Sequence, residues 1–227
     1  MHFILLAIIL IALIFGPQVW VRYVLAHYSK PQKHFPGTGG ELARHLLNKT
    51  GLTDVRLEST AAGDHYDPVA KCVRLTPDNL NGRSLTAVAT AAHEVGHAIQ
   101  DHAGYPPLHA RTRLVSVAQH AEKFGSVAML AIPVIALASR SPSAGALMFL
   151  IGIMSIGMGT VVHLITLPTE WDASFARALP LLKAGRYISA DEERHVRRIL
   201  RACAMTYVAG SLASLLNLAR WIAILRR

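Results

Sequence analysis

The chain has 227 residues and a mass of 24.6 kDa, enough for one sizeable domain or two small ones without disulfide staples. Hydrophobic residues make up 52%, charged residues only 16%, and the mean hydropathy is +0.34; this is more apolar surface than a soluble domain of this size buries and argues against a purely soluble protein. The net charge of +9 is scattered beside apolar runs rather than gathered into an arm, so nucleic acid is not expected as a partner, and Cys72 and Cys203 lack the CxxC spacing of a cysteine zinc site.

Residues 3–21, FILLAIILIALIFGPQVWV, carry no charge and are long enough to cross about 30 Å of hydrocarbon as a helix. No basic segment precedes them, and Trp20, Arg22 and Tyr23 follow as interfacial anchors, so residues 1–28 read as an uncleaved transmembrane anchor. A polar domain over residues 29–123 comes next. It opens with the Pro/Gly connector from Ser29 to Gly40, after which Thr38 and Glu41 have capping-box spacing for a short amphipathic helix that closes at Gly51. Val55–Glu58 and Cys72–Leu75 alternate with the period of two of half-buried strands, with AAGDHYDP as the turn or loop between them. The strand around Val73–Leu75 either offers a free edge to an extended peptide or is a covered, purely structural strand. Ser84 then caps an Ala-rich helix, SLTAVATAAHEVGHAIQDHA, which Tyr105-Pro106-Pro107 ends.

Residues 124–167 read as a transmembrane hairpin turning at Ser139–Gly145, with His163 as the one ionisable residue of its second arm, in a packing or chamber-lining role. Two amphipathic helices over 168–202 divide near Gly185, the second capped by Ser189 with Glu192, and residues 203–227 form a last apolar helix. The expected fold class is therefore a mainly α integral membrane protein with about four transmembrane helices and a small α+β cytoplasmic domain. The excess of Lys and Arg on the polar segments sets that domain, and the site it carries, on the cytoplasmic face of a multi-pass inner-membrane protein.

His93-Glu94-Val95-Gly96-His97 lies inside the helical pattern, so the two imidazoles project from one face one turn apart and preset two metal ligands. Glu94 between them is placed to take a proton from a metal-activated water and deliver it to a leaving amine, which is metallopeptidase chemistry. A catalytic zinc needs a third protein ligand and an open position. The HExxHxxGxxH continuation fails, because Gln100 and Ala103 stand where glycine and histidine are required. His102 lies too far around the helix, and His109 follows the double proline. The acidic candidate left on a helical segment is Glu170, in Glu170-Trp171-Asp172-Ala173-Ser174.

In DHYDP at 64–68, VRL at 73–75, NGRSL at 81–85, AAHEVGHAIQD at 91–101, TLPTEWDAS at 166–174 and MTYVA at 205–209, the chain resembles the YugP-like neutral zinc metallopeptidases of bacterial membranes, over nearly its whole length. That family looks like a small relative of the HtpX and CAAX-prenyl proteases, whose third ligand is the glutamate of an ExxxD motif. The resemblance implies a zincin-like domain of gluzincin type, one zinc ion held by His93, His97 and Glu170, and Glu94 as general base. Ser174 stands where the motif has aspartate, and Asp172 lies two residues earlier; one or the other is left to orient a histidine. His65, Tyr66 and Tyr207 are candidates to stabilise the oxyanion of an attacked peptide bond, against structural roles in a turn or at a membrane interface. The expected partners are protein or peptide substrates, chiefly membrane proteins, the lipid bilayer, and a membrane-protein partner or second copy of the chain. Membrane protein quality control or processing is the expected setting, and a catalytically silent zinc-binding scaffold is the alternative. A transporter or lipid-binding role would leave Glu94 dispensable.

Overall fold

A computed structural model describes residues 2–139, 150, 162 and 166–225. The expected second arm of the hairpin, with its turn and His163, lies almost wholly outside the described residues, as do Arg226 and Arg227. The chain divides into two compact units, one of residues 1–16, 110–166 and 207–227, the other of residues 17–109 and 167–206. In its described residues the first unit is helical, built from the start of α1 (His2–His27), most of α5 (Pro106–Ser139) and the end of α7 (Ala190–Leu225).

Among the described residues no helix is long and apolar enough to cross a membrane, which overturns the expectation of about four transmembrane helices. A hydropathy count takes every apolar residue of a run as available to lipid. Val21 at the end of the first run, Val24 beyond it, and Cys203 and Ala204 at the start of the last are instead buried in the protein's own core. Joining the last polar helix to the last apolar run in one helix, α7, also removes the boundary expected at residue 203.

The second unit is an α+β arrangement. α2 (Gly39–Lys49) starts with the capping box read from the sequence: the Glu41 N–H donates to Thr38 Oγ1 at 3.2 Å and the Thr38 N–H to Glu41 Oε2 at 2.7 Å. It ends before Gly51, which takes the left-handed φ of +77° that favours glycine. Three short strands form one sheet in the order β1-β3-β2, with β1 (Arg56–Ser59) parallel and β2 (His65–Asp67) antiparallel to β3 (Cys72–Leu75). The stretch expected as a turn thus contains a strand. β3 lies between two neighbours and offers no edge; the edges belong to β1 and β2.

Alternation along the strands separates two faces. Tyr66, Val73 and Leu75 point to the buried side, while Glu58, Arg74, His65 and Asp67 share the other, where Arg74 bonds both Glu58 and Asp67. Asp67 also accepts the N–H groups of Val69 and Ala70, and these bonds, the Ala70 N–H foremost, hold its carboxyl below the usual range. After the short α3 (Pro77–Asn81), α4 (Leu85–His102) begins at Ser84, whose Oγ accepts the Ala87 N–H at 3.1 Å. α4 is buried from Leu85 through Ala98, as a helix surrounded on all sides is, and its alanines let neighbours come close. Behind it stand residues 167–171, a π-helical segment (Asp172–Ala178), α6 (Leu179–Ala184) and the first turns of α7.

The sheet is tied to α4 by Tyr66, whose hydroxyl donates to Asp101 Oδ2 at 2.6 Å, with Lys71 Nζ on the same oxygen at 2.5 Å. Burial and the Asp101 charge push the Tyr66 phenol up, so it stays a donor. Tyr66→Phe is expected to lower the unfolding free energy by about 1.5–3 kcal/mol in urea titrations, the scale of a hydrogen bond to a charged group, with metal content unchanged.

Candidate metal centre

α4 sets His93 and His97 one turn apart, their ring centroids 4.8 Å from each other. Opposite them, Glu170 comes from the turn just before the π-helical segment. Its Oε2 lies 3.2 Å from His93 Nε2 and 3.2 Å from His97 Nε2, and all three residues are buried, Glu170 completely. Two donors held tetrahedrally by one ion at 2.0–2.1 Å stand about 3.3 Å apart, so both separations suit a single zinc.

The far nitrogens are held by fixed partners. Ser174 Oγ donates its one proton to the Leu200 carbonyl at 3.1 Å, so at 2.9 Å from His93 Nδ1 it accepts the ring N–H. His97 Nδ1 meets Gln100 Oε1, an acceptor, at 2.9 Å. With Nδ1–H given to these acceptors, each ring in its neutral form has Nε2 free to hold a metal. The three donor atoms converge in a buried site that could hold a metal ion, and the donor set of two imidazoles and a carboxylate is one that zinc takes. The residues present fit the ion.

This approach depends on one glycine. A Cβ on Gly96 would stand 2.6 Å from the carbonyl oxygen of Ala173, inside contact distance of backbone that cannot move aside. Gly96 lets the π-helical segment lie directly on α4. Glu170 and Ser174, four residues apart, both face the histidines.

Other residues from the sequence reading fall as follows. Glu94 is buried on α4 between His93 and His97. Asp172 and Ser174 serve different rings: Ser174 touches His93, whereas Asp172 Oδ2 accepts from Gln100 Nε2 at 2.7 Å and so reaches His97 through an intermediate. His65 is not brought to the cluster; it lies on the sheet face opposite Tyr66, with Nδ1 donating to the Gly63 carbonyl at 2.8 Å. His102 and His109 are exposed and outside the cluster. Tyr207 lies on α7, its side chain outside the described part of the structure. Cys203 is buried 3.8 Å from Thr90 Oγ1, and burial pushes its thiol up to about 12, the opposite of what a thiolate ligand requires. Sequence reasoning missed Gln100, weighed there only as a departure from another motif. Its place in the HEVGHAIQ run, three residues past the second ligand and facing the same way, was the available signal.

Two buried histidines of one helix and a buried glutamate of another segment form a group that could hold one metal ion. The model of the family described as "Putative neutral zinc metallopeptidase" matches residues 3–226, and the chain belongs to that family. It is 36% identical over 226 residues to the "Putative membrane protease YugP" of Bacillus subtilis (strain 168), a match covering 99% of this chain and 96% of the relative. No solved structure matches it. Zinc is the family's metal, and peptides or proteins are the substrates that a peptidase implies.

Gly96→Ala is expected to push the π-helical segment off α4 and abolish stoichiometric zinc binding, read by metal analysis of the purified chain. A variant that kept one zinc per chain would show that the two backbones can separate without losing the site.

Proposed function

We propose that the chain is a metalloendopeptidase of gluzincin type, with His93, His97 and Glu170 as the ligands of one zinc ion and Glu94 as the general base. The observation that carries this reading is the convergence of two imidazole nitrogens on one buried carboxylate oxygen, beside a buried glutamate on the helix of the two histidines. When bound, zinc supplies a Lewis acid for the scissile carbonyl and makes water acidic enough to ionise near neutral pH. Glu94 takes the proton from the attacking water and passes it to the leaving amine. Ser174 and Gln100 hold the rings in the tautomer that keeps Nε2 free for the metal.

We further infer that its substrates are membrane proteins and that it works at the inner membrane, in quality control or processing. The relative's name as a membrane protease supports this. So do the large apolar side chains exposed on the first unit, among them Leu5, Leu13, Phe124 and Val127, and the exposed Arg22, Lys30 and Lys33 of the second, which suit the anionic cytoplasmic leaflet.

Glu94→Gln tests the mechanism, because it keeps the shape of the side chain and removes the base. Cleavage of an unfolded protein substrate is expected to fall by about 10²–10⁴-fold with zinc content unchanged. Equal cleavage by both forms would remove Glu94 from the chemistry; zinc in both with cleavage by neither would leave the silent-scaffold reading standing.

A further inference from the structure

The side-chain amide of Gln100 is completely buried, and its two ends differ. Oε1 faces His97 Nδ1 at 2.9 Å, and Nε2 donates both to the Thr169 carbonyl at 2.9 Å and to Asp172 Oδ2 at 2.7 Å. Asp172 Oδ2 is itself held by Arg177 Nε at 3.1 Å, and the Arg177 guanidinium lies 5.8 Å from the centre of the Tyr105 ring.

A glutamine amide is nearly symmetric in shape but opposite in polarity at its ends. Turned over, it would present N–H groups to His97 Nδ1, draw the ring proton to Nε2, and close the nitrogen that faces Glu170. The turned form would also set its oxygen against the Asp172 carboxylate and the Thr169 carbonyl, acceptor against acceptor in a buried place. One carboxylate and one carbonyl on the Glu170 segment therefore choose the tautomer of a ligand on the other helix.

We propose that Gln100 is a positioning residue for the metal, an adaptor whose amide orientation, fixed by Asp172 and the Thr169 carbonyl, keeps His97 in its zinc-binding tautomer. Asp172 acts on the zinc only through this amide, and Arg177 acts by holding Asp172. The proposal rests on His97 being a zinc ligand and adds the device that sets its tautomer. It also explains how a chain with serine at the aspartate position of the ExxxD pattern retains an oriented pair of histidines: Ser174 serves one ring directly, and Asp172 serves the other through glutamine.

The test is zinc affinity by chelator competition, with the visible spectrum of the cobalt-substituted chain as a report on ligand geometry and melting of the metal-free chain as a folding control. Gln100→Leu removes the acceptor and is expected to weaken zinc by about 10–100-fold and alter the cobalt spectrum. Gln100→Glu keeps an acceptor toward His97 and has no polarity to invert, but sets its second oxygen against the Asp172 carboxylate and the Thr169 carbonyl, so it serves as the background in which Asp172 has no amide to orient. Asp172→Ala should weaken zinc by about two- to tenfold beside Gln100, where the amide becomes free to turn, and cause no loss in the Gln100→Glu background, where there is nothing to orient. Equal losses in the two backgrounds would overturn the proposal, as would a Gln100→Leu chain that holds zinc like wild type. If Gln100→Leu fails to fold, the paired Asp172→Ala measurements decide alone. A wild-type chain that binds no zinc would overturn the metal-centre reading itself, whereas normal zinc binding with either contrary result above overturns only the adaptor.

Discussion

The metal centre depends on the contact of two backbones at Gly96. Two histidines a turn apart on a helix are an incomplete ligand set, and the third ligand must come from another element without leaving room for solvent to spread the donors apart. The missing Cβ at residue 96 lets the Ala173 carbonyl approach to a distance no side chain would permit. From that contact follow the 3.2 Å separations at Glu170, the serine bond to His93 and the amide bridge to Asp172, since all the partners leave the same stretch of chain. A site fixed through packed backbone is pre-formed, which suits a metal that must be held with one position open.

Around that contact the second unit is arranged as support. The sheet presses Tyr66, Val73 and Leu75 toward α4, and Asp101, two turns beyond His93, receives Tyr66 and Lys71. The charged residues of the opposite sheet face pair among themselves. His65 belongs to that face, which explains why a residue next to a buried strut is itself far from the chemistry. α4 is thus divided along its length between the candidate metal site and the residues that tie it to the sheet.

The sequence made some of this legible and hid the rest, for physical reasons. HEVGH was readable because its geometry is local: four residues on a helix always bring two side chains to one face. The caps at Thr38, Ser84 and Ser189 were readable for the same reason, each being a bond within three residues. Glu170 was reached by elimination and by resemblance, since nothing in the local sequence says that a residue 73 positions from His97 lies against it. Gln100 was hidden because its role comes from partners on a distant segment, the Thr169 carbonyl being 69 residues away. β2 was read as turn because three residues form a strand only through pairing with β3. The expectation of membrane-crossing helices failed in part because hydropathy along a chain groups exposed residues such as Leu5 and Leu13 with ones, such as Val21 and Ala204, spent on the protein's own core.

The most direct test of the central claim is X-ray absorption at the zinc edge on the purified chain. The account predicts one zinc per chain with two imidazole nitrogens and a carboxylate oxygen at about 2.0–2.2 Å and no sulfur in the first shell. A sulfur scatterer near 2.3 Å would contradict it by bringing in a cysteine. An unaltered zinc signal after Glu170→Ala would contradict it equally, by showing that the carboxylate at the Gly96 contact is not a ligand.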